Sequence, residues 1–305
     1  MSETIAVIAP GAQTITVIAP GAQTITIIAP GAMGSGVARV LSAHGAQVLT
    51  LLEGRSPATV ARAEAAGMRG ASEAEVAGSD LILSIVPPAQ ARALAERLAG
   101  TLAAAAHKPI VVDCNAVDVV SVRAIGAVIT ASGAGFVDGG IIGLPPKPGG
   151  TGPSFYLSGD EGGRAGAILA RLGLKVRVIE GGVGAASALK MSYAGITKGL
   201  TAVAAMMILG ASRAGAADAL MDELRESQPE LVARFARALP DMVPKAYRWV
   251  AEMREIAAFL GGDPAGASMF EGAALLYDRL AADNDGARSE VGALEAFARA
   301  LASPS

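Results

Sequence analysis

The chain has 305 residues, enough for two domains, and its formal net charge at pH 7 is -3. This weak negative charge and an aromatic content of 4% argue against a nucleic-acid-binding protein, which needs a basic surface or stacking side chains. A single cysteine, Cys114, excludes an intrachain disulfide and, without a secretory signal pattern, predicts a cytoplasmic protein.

The first predicted strand belongs to a repeat. Residues 4–33 consist of three similar units, TIAVIAPGAQ, TITVIAPGAQ and TITIIAPGAM, and only the third continues into a helical pattern. We interpret residues 1–23 as duplicated first-strand repeats without an assigned function. An alternative is an extra pair of strands at a sheet edge. The working first strand then runs over residues 24–29.

A glycine turn of the form A-x-G-x-x-G follows this strand and leads into a helical pattern. Ala29 stands in the place of the first glycine, and Gly31 and Gly34 are the second and third. Missing side chains let backbone N–H groups approach a pyrophosphate, and a helix N-terminus adds partial positive charge. The predicted pyrophosphate-binding residues are Gly31, Ala32, Met33 and Gly34.

Strand and helix patterns then alternate through the first half of the chain. The further predicted strands are 47–52, 80–86, 109–113, 135–142, 155–158 and 175–179. A capping box, Ser72-x-x-Glu75, predicts a short helix before the second of these strands. This alternation predicts an α/β Rossmann domain with a mostly parallel sheet over residues 24–182.

From residue 184 onward every segment has a helical pattern. Residues 185–215 are compatible with one helix, but the longest nearly uncharged stretch, 199–212, has only 14 residues, whereas a membrane span needs about 20. We interpret that stretch as part of a buried core helix without membrane contact. The sequence therefore predicts an all-α substrate and dimerisation domain over residues 183–305.

The end of the second predicted strand carries conflicting signals about the cofactor. Glu53 lies about 20 residues past the glycine turn, where a carboxylate binds the ribose 2′-hydroxyl of NAD. Arg55 and Ser56 follow, and a guanidinium with a hydroxyl binds the 2′-phosphate of NADP. We predict that all three bind the cofactor, and the pattern favours NADP over NAD. The alternative is an exposed turn arginine and a helix cap.

The first helix of the second half contains a candidate acid/base. Lys190, Tyr193 and Thr197 share one face of an otherwise apolar helix, at spacings of three and four residues. The alternative for Lys190 is a surface lysine, and we interpret Lys198 in that way. With two isolated histidines and one cysteine, the sequence predicts no metal site.

The chain resembles the β-hydroxyacid dehydrogenase and 6-phosphogluconate dehydrogenase group, in the branch with a distinct all-α, phosphogluconate-dehydrogenase-like C-terminal domain. The segments that carry this resemblance are GAMGSGVA (31–38), SDLILSIVPP (79–88), VDCNA (112–116), FVDGGIIG (136–143) and GVGAASALKMSY (182–193). The resemblance implies that Val86, Pro87 and Asn115 border the nicotinamide. It also implies that Lys190 is the general acid/base.

A substrate-binding loop is implied by the same resemblance, and its residues are Gly140, Ile141, Ile142 and Gly143. The chain departs from the family pattern at two positions. Ile142 stands where the family has a serine that binds the substrate carboxylate, and Tyr193 stands where it has an asparagine. The substrate therefore lacks the usual carboxylate, or glycine N–H groups or Lys147 bind it. Arg248 is a further candidate for an anionic group of the substrate.

We predict an NAD(P)-dependent oxidoreductase that transfers a hydride between nicotinamide and a small hydroxy or carbonyl substrate, with Lys190 and Tyr193 as catalytic residues. Two alternatives stay open: an imine reductase on the same scaffold, and a non-catalytic NADP-binding regulatory protein. We expect a homodimer formed through the alanine-rich helices.

Overall fold

The computed structural model describes residues 23–147, 150 and 152–302. The interpretation of the repeats concerns residues outside the described ones and stays a prediction. The described chain forms one mixed sheet flanked by helices, followed by an all-helical region, as the sequence predicts. The strands are β1 (Thr24–Ile28), β2 (Gln47–Thr50), β3 (Met68–Gly70), β4 (Leu81–Ser84), β5 (Ile110–Asp113), β6 (Gly135–Ile142), β7 (Ser154–Ser158) and β8 (Lys175–Val178).

Six helices lie among the described strands, and six follow them. The first six are α1 (Ala32–Ala43), α2 (Pro57–Glu64), α3 (Glu73–Ala77), α4 (Pro88–Ala104), α5 (Val119–Ala131) and α6 (Gly162–Arg171). The other six are α7 (Ala185–Arg213), α8 (Ala217–Ser227), α9 (Pro229–Met242), α10 (Ala246–Phe259), α11 (Pro264–Asp285) and α12 (Ser289–Ala302).

The strand order of the sheet is β3-β2-β1-β4-β5-β6-β7-β8. The first six strands in this order are mutually parallel, β7 is antiparallel to β6, and β8 is parallel to β7. The chain moves outward from β1 in both directions, so a crevice opens at the carboxyl ends of β1 and β4, where such sheets bind ligands.

Local sequence signals explain most elements, and β3 is the exception. The predicted capping box of α3 is confirmed, because the Ser72 hydroxyl accepts the Glu75 N–H at 3.3 Å and the Glu75 carboxylate accepts the Ser72 N–H at 2.9 Å. Strand β3 was not predicted, because its three residues, Met-Arg-Gly, have no recognisable strand pattern. This strand exists because it pairs with β2, with Met68 opposite Val48.

Apolar side chains cover both faces of the sheet, and the helical region has a core of its own. One face buries Val37, Leu41 and Leu169 from α1 and α6. The other face buries side chains of α4 and α5, among them Leu98 and Ile125. The helical region buries a separate cluster that includes Leu239, Met253, Tyr277 and Leu294.

Helix α7 is longer than the uncharged stretch considered in the sequence analysis. It has 29 residues, and by length and composition alone it is apolar enough to cross a membrane. In its most apolar window, however, 44% of the residues are buried inside the protein. This burial is typical of a core helix in a helical region, which is how we interpret it.

Candidate functional site

The glycine turn between β1 and α1 leaves the start of α1 open. Gly31 is the N-cap residue, no side chain caps the helix there, and its first turn contains no acidic residue. A Cβ atom added at Gly31 would meet nothing within 4 Å, whereas one at Gly34 would lie 2.2 Å from the Ala29 carbonyl oxygen. Gly34 thus permits close contact with β1. The unpaired N–H groups of the first turn, which contains Ala32 and Met33, suit a pyrophosphate.

The residues predicted to bind the adenosine ribose follow β2 and are exposed: Glu53, Arg55 and Ser56. Ser56 also caps α2, since its hydroxyl accepts the N–H of Thr59 at 3.3 Å. Arg62 was not predicted, although its Nε donates to the Pro30 carbonyl oxygen at 2.9 Å. It therefore places a guanidinium beside the glycine turn. Local sequence does not indicate this contact, because the two residues are 32 positions apart.

Asn115 joins the carboxyl ends of β4 and β5. Its Oδ1 accepts the Val86 N–H at 2.7 Å, and its Nδ2 donates to Ser84 Oγ and to the Asp113 carboxylate, both at 2.9 Å. Both amide hydrogens are used internally, so Asn115 offers a ligand only the remaining lone pair of Oδ1. Burial raises the pKa of Asp113 to about 6, although hydrogen bonds from Asn115 act in the opposite direction. Pro87 is exposed and precedes α4.

A buried carboxylate holds the start of α7 on the sheet. Asp138 of β6 accepts hydrogen bonds from the backbone N–H groups of Gly184 and Ser187 at 2.9 and 3.0 Å. It also accepts the Ser187 hydroxyl at 2.7 Å and the Ser158 hydroxyl at 3.2 Å. Because a helix N-terminus has unpaired N–H groups and partial positive charge, this carboxylate both caps α7 and fixes its position.

Lys190 lies one turn after Ser187, beside the end of β5. Its Nζ donates to the Cys114 carbonyl oxygen at 3.4 Å. A Cβ atom added at Gly140 would lie 2.9 Å from the Ala186 carbonyl oxygen and 3.4 Å from the Lys190 Cβ, so this glycine permits the approach of α7 to β6. The predicted acid/base is thus placed at the carboxyl ends of β5 and β6.

The surroundings of Lys190 lower its pKa below the ordinary lysine value. Burial is the largest cause, because an ammonium group loses hydration in the interior. Among nearby charges, the Glu252 carboxylate raises this pKa and the Lys198 ammonium lowers it. A lowered pKa increases the fraction of neutral amine near pH 7, which is the form that accepts a proton.

The predicted substrate loop ends β6 and begins the segment toward β7. Gly140 and Ile141 are buried, Ile142 is partly buried, and Gly143 is exposed with a φ of 127°. Such a φ favours glycine. These four residues carry no side-chain hydrogen-bonding group, so any polar contact that they make with a substrate comes from their backbone.

Lys198 is not a surface lysine, and that interpretation was wrong. Its side chain is 19% exposed and forms an ion pair with Glu252 of α10. Its ammonium lies 5.0 Å from the centre of the Trp249 ring, a cation–π contact. Tyr277 packs edge-on against Trp249 and donates to the Lys198 carbonyl oxygen at 2.6 Å. These partners are 51 or more residues from Lys198, so no local pattern reveals them.

Helix α10 also contacts the Rossmann half directly. The Glu255 carboxylate accepts the Asp118 N–H at 2.9 Å, just beyond the end of β5. Burial raises the pKa of Glu255. Since Glu252 precedes Glu255 by three residues on the same helix, its side chain lies on the same side of α10 as the contact with Asp118 at the start of α5. The ion pair of Lys198 and Glu252 is therefore part of the wall between the two halves.

Three other candidates are exposed, and their proposed roles stay predictions. Tyr193 is 51% exposed on α7. Arg248 is exposed and its guanidinium stacks on Tyr247, 5.8 Å from the ring centre, rather than joining Glu252. Lys147 lines a separate cavity beside α1. Within residues 23–147, 150 and 152–302, no three His, Cys, Asp or Glu residues form a cluster that could hold a metal ion.

Comparison with protein families gives two matches along the chain. The model of the NAD binding domain of 6-phosphogluconate dehydrogenase matches residues 24–181, just over half of the chain. A domain of unknown function, DUF1932, matches residues 211–280 in the helical region. A search of the curated proteins gave no match.

Several solved structures share this fold. The conserved protein MTH1747 of unknown function, described as structurally similar to 3-hydroxyacid dehydrogenases, is 26% identical, with 92% of this chain and 100% of that one covered and a TM-score of 0.67. The 3-hydroxyisobutyrate dehydrogenase of Mycobacterium tuberculosis is 20% identical. The match covers 92% of this chain and 100% of that one, with a TM-score of 0.68. A reductive aminase from Aspergillus terreus, solved with NADPH, is 18% identical. The match covers 90% of this chain and 99% of that one, with a TM-score of 0.52.

Proposed function

Because the chain belongs to the family of the NAD binding domain of 6-phosphogluconate dehydrogenase, we propose that it is an NAD(P)-dependent oxidoreductase acting on a small hydroxy or carbonyl substrate. The observation that carries this proposal is the position of Lys190. This partly buried lysine has a lowered pKa and lies at the ligand-binding edge of a sheet whose first helix has an open N-terminus. Perturbed ionisable groups at such edges are typical of catalytic sites.

In this proposal Lys190 moves a proton at the substrate oxygen. When bound, the nicotinamide cofactor accepts or supplies the hydride. During oxidation the neutral amine of Lys190 accepts the hydroxyl proton while the neighbouring C–H bond gives up its hydride. During reduction the ammonium donates that proton to the carbonyl oxygen. The Cys114 carbonyl oxygen orients Nζ by accepting one of its hydrogens.

Replacing Lys190 tests this role. We expect Lys190→Met to reduce the rate of hydride transfer by about 100-fold or more and to leave NADPH affinity nearly unchanged, because the amine acts on the substrate rather than on the cofactor. Stopped-flow NADPH fluorescence and a substrate panel measure both quantities. Lys245→Met is the matched control, since Lys245 is also partly buried but pairs with Asp241 within the helical region, away from the sheet. Full activity in Lys190→Met would contradict the mechanism.

The rates of oxidation and reduction should also depend on pH, in opposite directions. Oxidation needs the neutral amine, so its rate should rise with pH through the lowered pKa of Lys190, while the rate of reduction should fall over the same range. Profiles of kcat/KM in both directions measure this dependence. A rise of the oxidation rate only above pH 10.4, the ordinary lysine value, would contradict a desolvated Lys190.

NADP rather than NAD is the proposed cofactor. Arg55 and Ser56 are exposed beyond β2, and Arg62 places a further guanidinium in this half of the chain, beside the glycine turn. Exposed Glu53 is free to face solvent. We expect Arg55→Gln to weaken NADPH binding by roughly 10-fold and NADH binding little, because a charge-assisted bond to the 2′-phosphate is lost. Fluorescence titration measures both, with Arg92→Gln as the control, and tighter NADH binding by the wild type would overturn the assignment.

An imine reductase is the second candidate, because the fold is shared with a reductive aminase and residues Gly140–Gly143 offer no side-chain donor for a carboxylate. A panel that contains hydroxy acids, and ketones with and without an amine, separates the two activities. Turnover only in the presence of an amine would favour the imine reductase. NADPH binding without turnover of any member would favour the non-catalytic regulatory protein.

We propose a homodimer formed through the exposed face of α7. The exposed side chains on this face are Tyr193, Ile196, Val203 and Met207. Such a stripe on one helix is self-complementary about a twofold axis, and covering it removes apolar surface from water. Light scattering should show that Ile196→Glu halves the mass. Val120→Glu, which changes an exposed apolar residue of α5, is the control. A monomeric wild type would contradict the proposal.

A further inference from the structure

A second concave site lies beside α1, apart from the open helix start. One wall is the outer face of α1, from Gly36 to His44. The other walls are the segment after β6 around Lys147 and the turn between α6 and β8, residues 173–175. Its volume is about 430 Å³, within the range of small-molecule sites. Apart from Lys147, which the sequence analysis considered for the substrate carboxylate, none of the residues assigned above to the cofactor or to the Lys190 site lines this cavity.

The charges of this cavity all have the same sign. Arg39, Lys147 and Lys175 line it together with His44, and no Asp or Glu is among its described lining residues. Within the part of the chain that the structure describes, none of the three cations forms an ion pair with a carboxylate. In a protein of net charge -3, an uncompensated group of cations creates a local positive potential that attracts anions.

The ring of His44 is fixed at the edge of this group. Its Nδ1 lies 2.8 Å from the Val40 carbonyl oxygen, which accepts, so Nδ1 carries the hydrogen. A Cβ atom added at Gly173, whose φ is 83°, would lie 2.4 Å from the ring, so the imidazole packs directly on that turn. Nε2 makes no hydrogen bond within the described residues, and the ring forms an apolar part of the cavity wall beside that turn.

The segment that carries Lys147 is seated on α1 by a close contact. A Cβ atom added at Gly36 would lie 2.8 Å from Cδ of Pro146, so the absence of a side chain at Gly36 lets Pro146 rest on the helix. This contact fixes the backbone next to Lys147 against the helix that carries Arg39. The two cations thus line one cavity rather than lying on independent surfaces.

We propose that this cavity binds a small multivalent oxyanion, a phosphorylated or polycarboxylate metabolite, at a site separate from that of the cofactor. Three cations on different walls match a ligand with two or more negative charges. A cavity of this size admits such a molecule and has room for an organic portion beside the apolar parts of Val40 and Leu174.

Isothermal titration with pyrophosphate and, separately, with citrate tests this proposal without any need for turnover. We expect saturable binding of at least one of them to the wild type, and a loss of at least 10-fold in affinity for the triple variant Arg39→Gln, Lys147→Gln and Lys175→Gln. The matched control is Arg92→Gln, Arg97→Gln and Arg164→Gln, which removes the same net charge from the surface elsewhere. Preference for pyrophosphate or for citrate identifies the class of ligand.

Saturating NADPH distinguishes this site from the open start of α1. Pyrophosphate also competes with NADPH for the proposed site at α1, so the decisive titrations are those made with NADPH saturating. If the cavity is a separate site, at least one of the two anions still binds under these conditions. Complete loss of anion binding in the presence of NADPH, equal losses in the two triple variants, or no binding by the wild type would each overturn the proposal. Circular dichroism of both variants verifies folding. A wild type that binds the anion but not NADPH would contradict the proposed function and leave this inference supported.

Discussion

Helices α1 and α7 both begin at a glycine, but their N-termini are completed in opposite ways. At α1 the N-cap is Gly31, and neither a side-chain cap nor an acidic residue occupies the first turn. At α7 the N-cap is Gly184, and the buried Asp138 carboxylate accepts two of the backbone N–H groups. One helix start is open to an external anion, whereas the other already holds an internal one.

The difference shows that a glycine before a helix does not by itself define an anion site. A helix start can bind an external anion only if the fold does not already place a carboxylate against its N–H groups. At α7 the internal carboxylate has a positioning effect: it fixes Ser187 against β6, and Lys190 follows one turn later beside the Cys114 carbonyl oxygen. In our proposal the start of α1 therefore binds the cofactor, and the start of α7 orients the acid/base.

Removing the internal carboxylate of α7 should have the largest effect of the changes considered, a loss of stability. Asp138→Ala leaves the N–H groups of Gly184 and Ser187 and two hydroxyls without their acceptor, and we expect a loss of about 3 kcal/mol in the free energy of unfolding. Asp138→Asn keeps one carbonyl acceptor and an equal volume, so about 1 kcal/mol is expected. Urea denaturation measures both. A loss below 1 kcal/mol for Asp138→Ala would contradict the role of this carboxylate.

Adding a carboxylate to the open helix start should make α1 resemble α7. Gly31 has extended backbone angles and space for a Cβ atom, so Gly31→Asp should cap α1 and raise the free energy of unfolding by about 0.5 kcal/mol. The same carboxylate would repel a pyrophosphate, and we expect NADPH affinity to fall by about 100-fold.

Gly31→Asn is the matched control for this change, because it offers a cap of nearly the same shape without the charge. It should bind NADPH more tightly than Gly31→Asp does. Fluorescence titration and thermal unfolding measure the two effects. Unchanged NADPH affinity in Gly31→Asp would contradict a pyrophosphate site at α1.

The smallest effect is expected at a third helix start, where the cap is local and exposed. Ser72 and Glu75 cap α3 reciprocally. We expect Ser72→Ala to reduce the free energy of unfolding by about 1 kcal/mol and to leave NADPH affinity unchanged. Urea denaturation measures this loss beside that of Asp138→Ala. An equal loss in the two variants would show that burial of the acceptor does not distinguish α7 from α3.

Strands and helices that are specified by nearby residues were predictable from the sequence, including their first and last residues. Strand β6 has the predicted limits, Gly135–Ile142, because an apolar run and flanking turns define it. The capping box of α3 needs only residues three apart. Strand β3 and the buried environment of Lys198 were missed, because both depend on partners from other parts of the chain.

By itself the sequence determined the alternation of strands and helices, the glycine turn after β1, and a lysine near the start of the first helix of the all-helical half. The tertiary structure alone decided which helix start stays open, which lysine is paired, and which cations share a cavity. The physical reason is separation along the chain: Asp138 reaches Gly184 across 46 residues, and Lys198 reaches Glu252 across 54. Local patterns fix backbone conformation, whereas partners of charged groups are fixed only when distant elements pack together.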